Sequence, residues 1–151
     1  MLSQTAEHAL RALLFLAQQP NGPPVPVEVI AGAIEAPRNY LSKTLHALTK
    51  HGIVSGTRGP RGGFRLSVPP AELALARVIE AFDEPRHRSM CMLGGRPCTD
   101  QAPCAVHERW KALWEASLAP LRSTTLADLL TGHRQLDRLG VGVVAALPAR
   151  D

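Results

Sequence analysis

Cysteine is missing from the first 90 residues and from everything after residue 104, and all three thiols lie within the stretch 91–104. No Cys-x-x-Cys pair or thioredoxin-like βαβ pattern is present, which argues against a thiol redox enzyme. No Ser/His/Asp set and no phosphate-cradling glycine loop stands out, so the chain does not read as an enzyme of any kind. No run approaches the ~18 apolar residues that a membrane span needs. The N-terminal "MLSQTAEHALRALLFLAQQP" has no basic start before a small-residue cleavage site, and Glu7, His8 and Arg11 interrupt its apolar residues. It is not expected to be a signal peptide, and a cytoplasmic location follows, where thiols stay reduced. With three cysteines, complete pairing within one chain is impossible. Aromatic residues make up only 4%, so alanine, leucine and valine must supply most of the core. Internal repeats are absent.

What is present is an ordinary globular composition, with 45% hydrophobic and 20% charged residues over 151 positions. That length suits one compact domain, or one domain with an extension. The formal charge of +4 permits a polyanionic partner.

Periodicity places the first elements. Leu2, Ala6, Ala9, Leu10, Leu13, Leu14 and Ala17 recur at helical spacing, with Ser3 as a possible N-cap and with His8, Arg11 and Gln18 on the other face. "PNGPP" stops this helix. "PVEVIAGAIEA" and "PRNYLSKTLHALTKHG" then predict two short helices joined by a tight turn, with Leu41, Leu45 and Leu48 inward and Gly52 as C-cap. Two β-prone runs, "IVSGT" and "FRLSV", flank "RGPRGG" and predict a hairpin with a basic tip. "PPAELALARVIEAF" restores a helix, residues 83–90 read as charged and irregular, and a long helix begins at Ala105, which Pro120 should kink or end. Thr125 can cap a last short helix.

The expected fold is therefore mainly α with a small β-hairpin wing: a winged helix-turn-helix followed by a long C-terminal dimerisation helix. The divisions are 1–82 for the winged domain, 83–104 for a cysteine-rich cluster-binding loop, 105–131 for the dimerisation helix and terminal helix, and 132–151 for a flexible tail. Val106, Trp110, Leu113, Trp114, Ser117 and Leu121 form a stripe on the long helix that wants a partner, and a second copy of the same helix satisfies it.

Arg38, Asn39, Tyr40, Ser42 and Lys43 occupy positions from which a recognition helix presents side chains to the major groove. Arg58 and Arg61 at the hairpin tip suit a phosphate backbone or a narrow minor groove. The plainer reading is a solvated helix face beside a basic hairpin. The two features in this order point to double-stranded DNA. Tyr40 can equally sit half-buried against the core, and His46 and His51 read as surface residues.

Six residues separate Cys91 from Cys98, five separate Cys98 from Cys104, and two separate Cys104 from His107. Three thiolates and an imidazole can hold an iron–sulfur cluster or a tetrahedral zinc. Structural zinc sites usually contain a tight Cys-x₂₋₄-Cys pair, so the wide gaps suit the larger group. A metal-free thiol switch is the third reading. A protein-interaction module stapled by zinc, with no role in DNA binding, stands as the alternative from another functional class.

Over about residues 1–131 the chain resembles the Rrf-type winged-helix transcription regulators, the group of IscR, NsrR and RirA. The motifs that carry the resemblance are "AEHALRALLFLA", "APRNYLSKTLHALTKHGIVSGTRGPRGGFRL", the C…C…C…H set at 91–107 and "TTLADLL". The resemblance implies a homodimer on operator DNA, with a repressor the expected form. It also implies a [2Fe–2S] or [4Fe–4S] cluster on Cys91, Cys98 and Cys104 that senses cluster status, redox state or nitric oxide. In one branch the fourth ligand is the histidine matching His107. In others it is an acidic residue of the partner's first helix, a position held here by His8, which departs from that pattern. His8 reads otherwise as a surface histidine.

Overall fold

The computed structural model describes residues 2–19, 22–89 and 98–131, with the backbone alone given for 83–89. The element order is α1 (Gln4–Ala17), α2 (Val27–Ala33), α3 (Arg38–Lys50), β1 (Val54–Thr57), β2 (Gly63–Leu66), α4 (Leu75–Ser89), α5 (His107–Ser123) and α6 (Leu126–Thr131). It is the mainly helical winged architecture that the periodicity predicts.

Helix α1 runs through the centre of the molecule. Ser3 caps it by accepting the Ala6 N–H at 3.1 Å. Ala6, Ala9, Ala12, Leu13 and Phe15 are completely buried, because α3, α4 and α6 all pack on it and small side chains let them approach. The expected polar face is narrower than the sequence suggests. His8 is buried, not a surface residue, because α3 covers it with Tyr40.

The helix-turn-helix depends on two similar C-terminal caps. At the end of α2 the Ala36 N–H reaches the Ala31 carbonyl at 3.0 Å, and Glu35 takes the left-handed conformation, φ 53°. At the end of α3 the Ile53 N–H reaches the Leu48 carbonyl at 3.0 Å, with Gly52 at φ 66°. Glycine is suited to that position. Leu41, Leu45 and Leu48 are fully buried, as their spacing predicts.

The wing is a two-stranded antiparallel hairpin with Val54 opposite Leu66 and Thr57 opposite Gly63. Val25 adds a third rung by exchanging two 2.8 Å hydrogen bonds with Phe64. A side chain at position 63 would run into the Val25–Pro26 backbone, so glycine is required there.

Two sequence expectations give way at the C-terminal side. Helix α4 does not stop near residue 82 but continues through the charged stretch to Ser89. Helix α5 continues through Pro120 to Ser123. The proline lies in the last turn, where it leaves the Ala116 carbonyl without its helical N–H, and its own carbonyl is taken up by the hydroxyls of Ser123 (3.0 Å) and Thr124 (2.9 Å). Leu118, buried against the rest of the protein, and the half-buried Leu121 hold this turn down. The terminal helix α6 returns to the winged core. Leu75 donates to the Thr124 carbonyl and Leu126 to that of Leu73, both at 2.9 Å, and Leu126 is fully buried. Residues 132–151, expected to be a tail, lie outside the described residues. Among the described residues no helix is long and apolar enough to cross a membrane.

Candidate functional site

Two groups of residues are available for chemistry. The first is the outer face of α3 and the hairpin tip. Arg38, Asn39 and Lys43 are exposed and Ser42 is half-buried on α3, while Arg58 and Arg61 are exposed at the tip. Tyr40 does not share this face. Its hydroxyl bonds to Thr5 Oγ1 of α1, and its ring meets the His8 ring edge-on at 5.6 Å. Arg38 is engaged by Glu28 of α2, with Nη2 at 2.5 Å and Nε at 2.6 Å from the same carboxylate oxygen.

His46 is exposed, as its place on the outer face of α3 predicts, but it also has a contact that the sequence does not signal. It lies on the exposed side of α3, one turn beyond Ser42, and its Nδ1 donates to the Ser42 carbonyl at 2.7 Å. Its ring packs edge-on against Phe64 of β2 at 5.4 Å and so ties the helix to the wing. An exposed histidine gives no sequence signal for this, because the contact spans 18 residues.

The second group is the turn that leads into α5. Ala102 donates its backbone N–H to Thr99 at 3.0 Å, and this reversal folds Cys98 back over the start of the helix. Cys98 is buried and its sulfur is a hub. It lies 3.1 Å from His107 Nδ1, accepts the Cys104 backbone N–H at 3.3 Å, and faces the Ala102 carbonyl at 3.9 Å. Cys104 is partly buried beside it. Three of the four predicted ligands thus come from one turn, and two of their donor atoms share a point. Cys91 lies outside the described residues.

Behind this group stand residues that the spacing did not reveal. His107 Nε2 lies 2.8 Å from Asp100 Oδ1, and Lys111 Nζ lies 3.0 Å from the same oxygen. The hydrogen bond from His107, with that from Lys111 next, holds the Asp100 carboxyl below the usual range. Glu108 adds a third donor, so that ligand atoms of Asp100, His107 and Glu108 fall within 4.8 Å of one another. Both carboxylates are exposed.

The donor chemistry fits a thiolate-rich iron site: the Cys98 sulfur meets the His107 imidazole at a helix start, with Cys104 on the same turn, where unpaired N–H groups favour anionic sulfur. The alternative ligand, His8, has no such company. Its Nδ1 is buried with no hydrogen-bond partner among the described residues, and its ring is held by Tyr40 of its own chain.

Helix α5 has one buried side, marked by Leu118 against α4. Of the expected dimer residues, Val106, Trp110, Trp114 and Leu121 are half-buried and Ser117 is exposed. Leu113 is 61% exposed, the most open of the large apolar side chains among the described residues.

A family model for iron-dependent transcriptional regulators, Rrf2, matches residues 2–132. The chain belongs to the Rrf2 family. It is 36% identical over 132 residues to a protein of Aquifex aeolicus provisionally named a helix-turn-helix-type transcriptional regulator, a match that covers 86% of this chain and 91% of that one. To the Escherichia coli regulator IscR it is 30% identical over 139 residues, covering 92% and 85%. Among solved structures, IscR of T. potens matches with a TM-score of 0.68 at 24% identity over 88% of both chains. CymR, the global cysteine regulator of B. subtilis, matches with a TM-score of 0.67 at 24% identity, over 87% of this chain and 97% of that one. These two likenesses concern the fold. The relatives are transcriptional regulators and not enzymes, as expected for this Rrf2 chain.

Proposed function

We propose that this Rrf2 protein is a cytoplasmic, homodimeric DNA-binding regulator, in the manner of a repressor, that reads iron–sulfur cluster status, redox state or nitric oxide. The observation that carries the reading is the convergence of Cys98 Sγ and His107 Nδ1, 3.1 Å apart at the N-terminus of α5. Cys91, Cys98 and Cys104 would hold the cluster, with His107 as fourth ligand. When bound, such a cluster supplies an iron centre that oxidants and nitric oxide attack.

The chain's own residues do the rest. Asn39, Ser42 and Lys43 on α3 face the major groove, and Arg58 and Arg61 take phosphates or a narrow minor groove. Arg38 joins them when it leaves Glu28. Leu113, Trp110 and Trp114 of α5 pack against the same residues of the second copy and set the distance between the two α3 helices. That distance must match half-sites about one helical turn apart. Cys104 and His107 belong to the first turn of α5, so ligation there fixes where the helix begins and how it leans on α4.

A second reading has its own support. The 3.1 Å separation also suits a hydrogen-bonded thiol–imidazole pair, and a fold shared with a cysteine regulator agrees with a metal-free thiol switch. Zinc on the same donors would make the turn a structural staple. The deciding experiment compares duplex affinity of cluster-loaded and cluster-free protein by fluorescence anisotropy. The proposal expects unequal affinities for one operator. Equal affinities contradict cluster sensing while leaving DNA binding in place.

A further inference from the structure

The two nitrogens of His107 have different partners. Nε2 faces Asp100 Oδ1 at 2.8 Å, and Nδ1 faces Cys98 Sγ at 3.1 Å. A carboxylate accepts and does not donate, so in the neutral ring the nitrogen it holds carries the proton and the other keeps its lone pair. We infer that Asp100 is a positioning residue that commits His107 to ligate through Nδ1. This rests on the cluster reading above and adds to it the ligating atom and the residue that selects it.

The arrangement is built for orientation. The His107 side chain is only 11% exposed while that of Asp100 is 70% exposed, so the carboxylate stands on the solvent side and the lone pair faces the Cys98 sulfur. Lys111 lies one turn further along α5, with Nζ 3.0 Å from the same Asp100 oxygen, and stops the carboxylate from swinging away. The Thr99–Ala102 reversal carries Asp100 over the helix start, seven residues before its partner in sequence. A cation held instead by Asp100, Glu108 and His107 Nε2 would need the proton on Nδ1 and would turn a donor toward Cys98. The two arrangements exclude each other.

The test uses the full chain, loaded anaerobically with ferrous iron and sulfide. Iron and sulfide per chain, the visible spectrum and the rate of iron release to a ferrous chelator are read for the parent protein, Asp100→Ala and Asp100→Asn, each also in a His107→Ala background. Asp100→Ala is expected to keep parental iron and sulfide but to release iron about ten-fold faster or more, in line with loss of a hydrogen-bond partner behind a ligand. Asp100→Asn, whose Oδ1 still accepts from Nε2, stays near the parent. In the His107→Ala background Asp100→Ala adds nothing. Parental release from Asp100→Ala, or the same acceleration with His107 already gone, overturns the inference and leaves the cluster standing. A parent chain without iron and sulfide overturns both.

Discussion

Glu28 of α2 holds Arg38, the first residue of α3, through a single carboxylate oxygen 2.5 Å from Nη2 and 2.6 Å from Nε. The Glu28 carboxyl is kept below the usual range first by a hydrogen bond with its own backbone, against an opposing desolvation, and then by Arg38. At neutral pH this pair turns one cation of the proposed DNA face away from phosphate. Glu28→Gln removes the charge and frees the guanidinium. Affinity for duplex DNA should rise, and the dependence on log salt should steepen by about 1 for one added phosphate contact. Unchanged or weaker binding in salt titrations contradicts this role for the pair.

The tip of the wing offers the complementary loss. Arg61 is exposed. Arg61→Ala should weaken binding by a similar factor on specific and unrelated duplexes and lower the salt slope by about 1 per lost phosphate contact. A loss confined to one sequence would make Arg61 a base reader instead.

Tyr40 joins α3 to α1 through the Thr5 hydroxyl and the His8 ring. Tyr40→Phe keeps the ring and deletes the hydrogen bond, which should cost about 0.5–1.5 kcal/mol in urea unfolding with little change in m. Thr5→Val removes the same bond from the other side. The double variant should therefore lose less than the two single losses combined. Additive losses would show that the two hydroxyls do not depend on each other.

Asp128 caps α6 with Thr125, accepting its backbone N–H at 2.7 Å and its hydroxyl at 2.8 Å. These bonds, the backbone one first, hold the Asp128 carboxyl below its usual range. A depressed carboxylate contributes stability above its unfolded pKa, about 3.9, and loses it as pH falls through the lower folded value. The Tm of the parent should exceed that of Asp128→Asn by its full margin above about pH 5, and the margin should close toward pH 3. A margin unchanged at pH 3 means that the charge of Asp128 has no part in the cap.

The sequence is most legible where one local rule decides. Leu41, Leu45 and Leu48 bury as their spacing predicts. Gly52 ends α3 with a positive φ, and Thr125 caps α6. Nonlocal packing hides the rest. Glu35 takes a left-handed turn with no glycine to signal it. His8 belongs by spacing to a polar face, and only the arrival of Tyr40 from α3 buries it. Pro120 marks a break that the packing of Leu118 and Leu121 overrides. Cys98, Cys104 and His107 stand out in the sequence because their residue types are rare and clustered. Asp100 is not, because a reversal of four residues brings it to His107 and no spacing rule covers that.

The proposed function requires that Cys91, Cys98 and Cys104 hold an iron–sulfur cluster. The most direct test is anaerobic purification of the full chain and of Cys98→Ala, with a visible spectrum and iron, sulfide and zinc measured on the same samples. Brown parent protein with matched iron and sulfide is expected, and a colourless Cys98→Ala that still forms the dimer. Colourless parent protein carrying one zinc per chain, or Cys98→Ala with its colour intact, would contradict it.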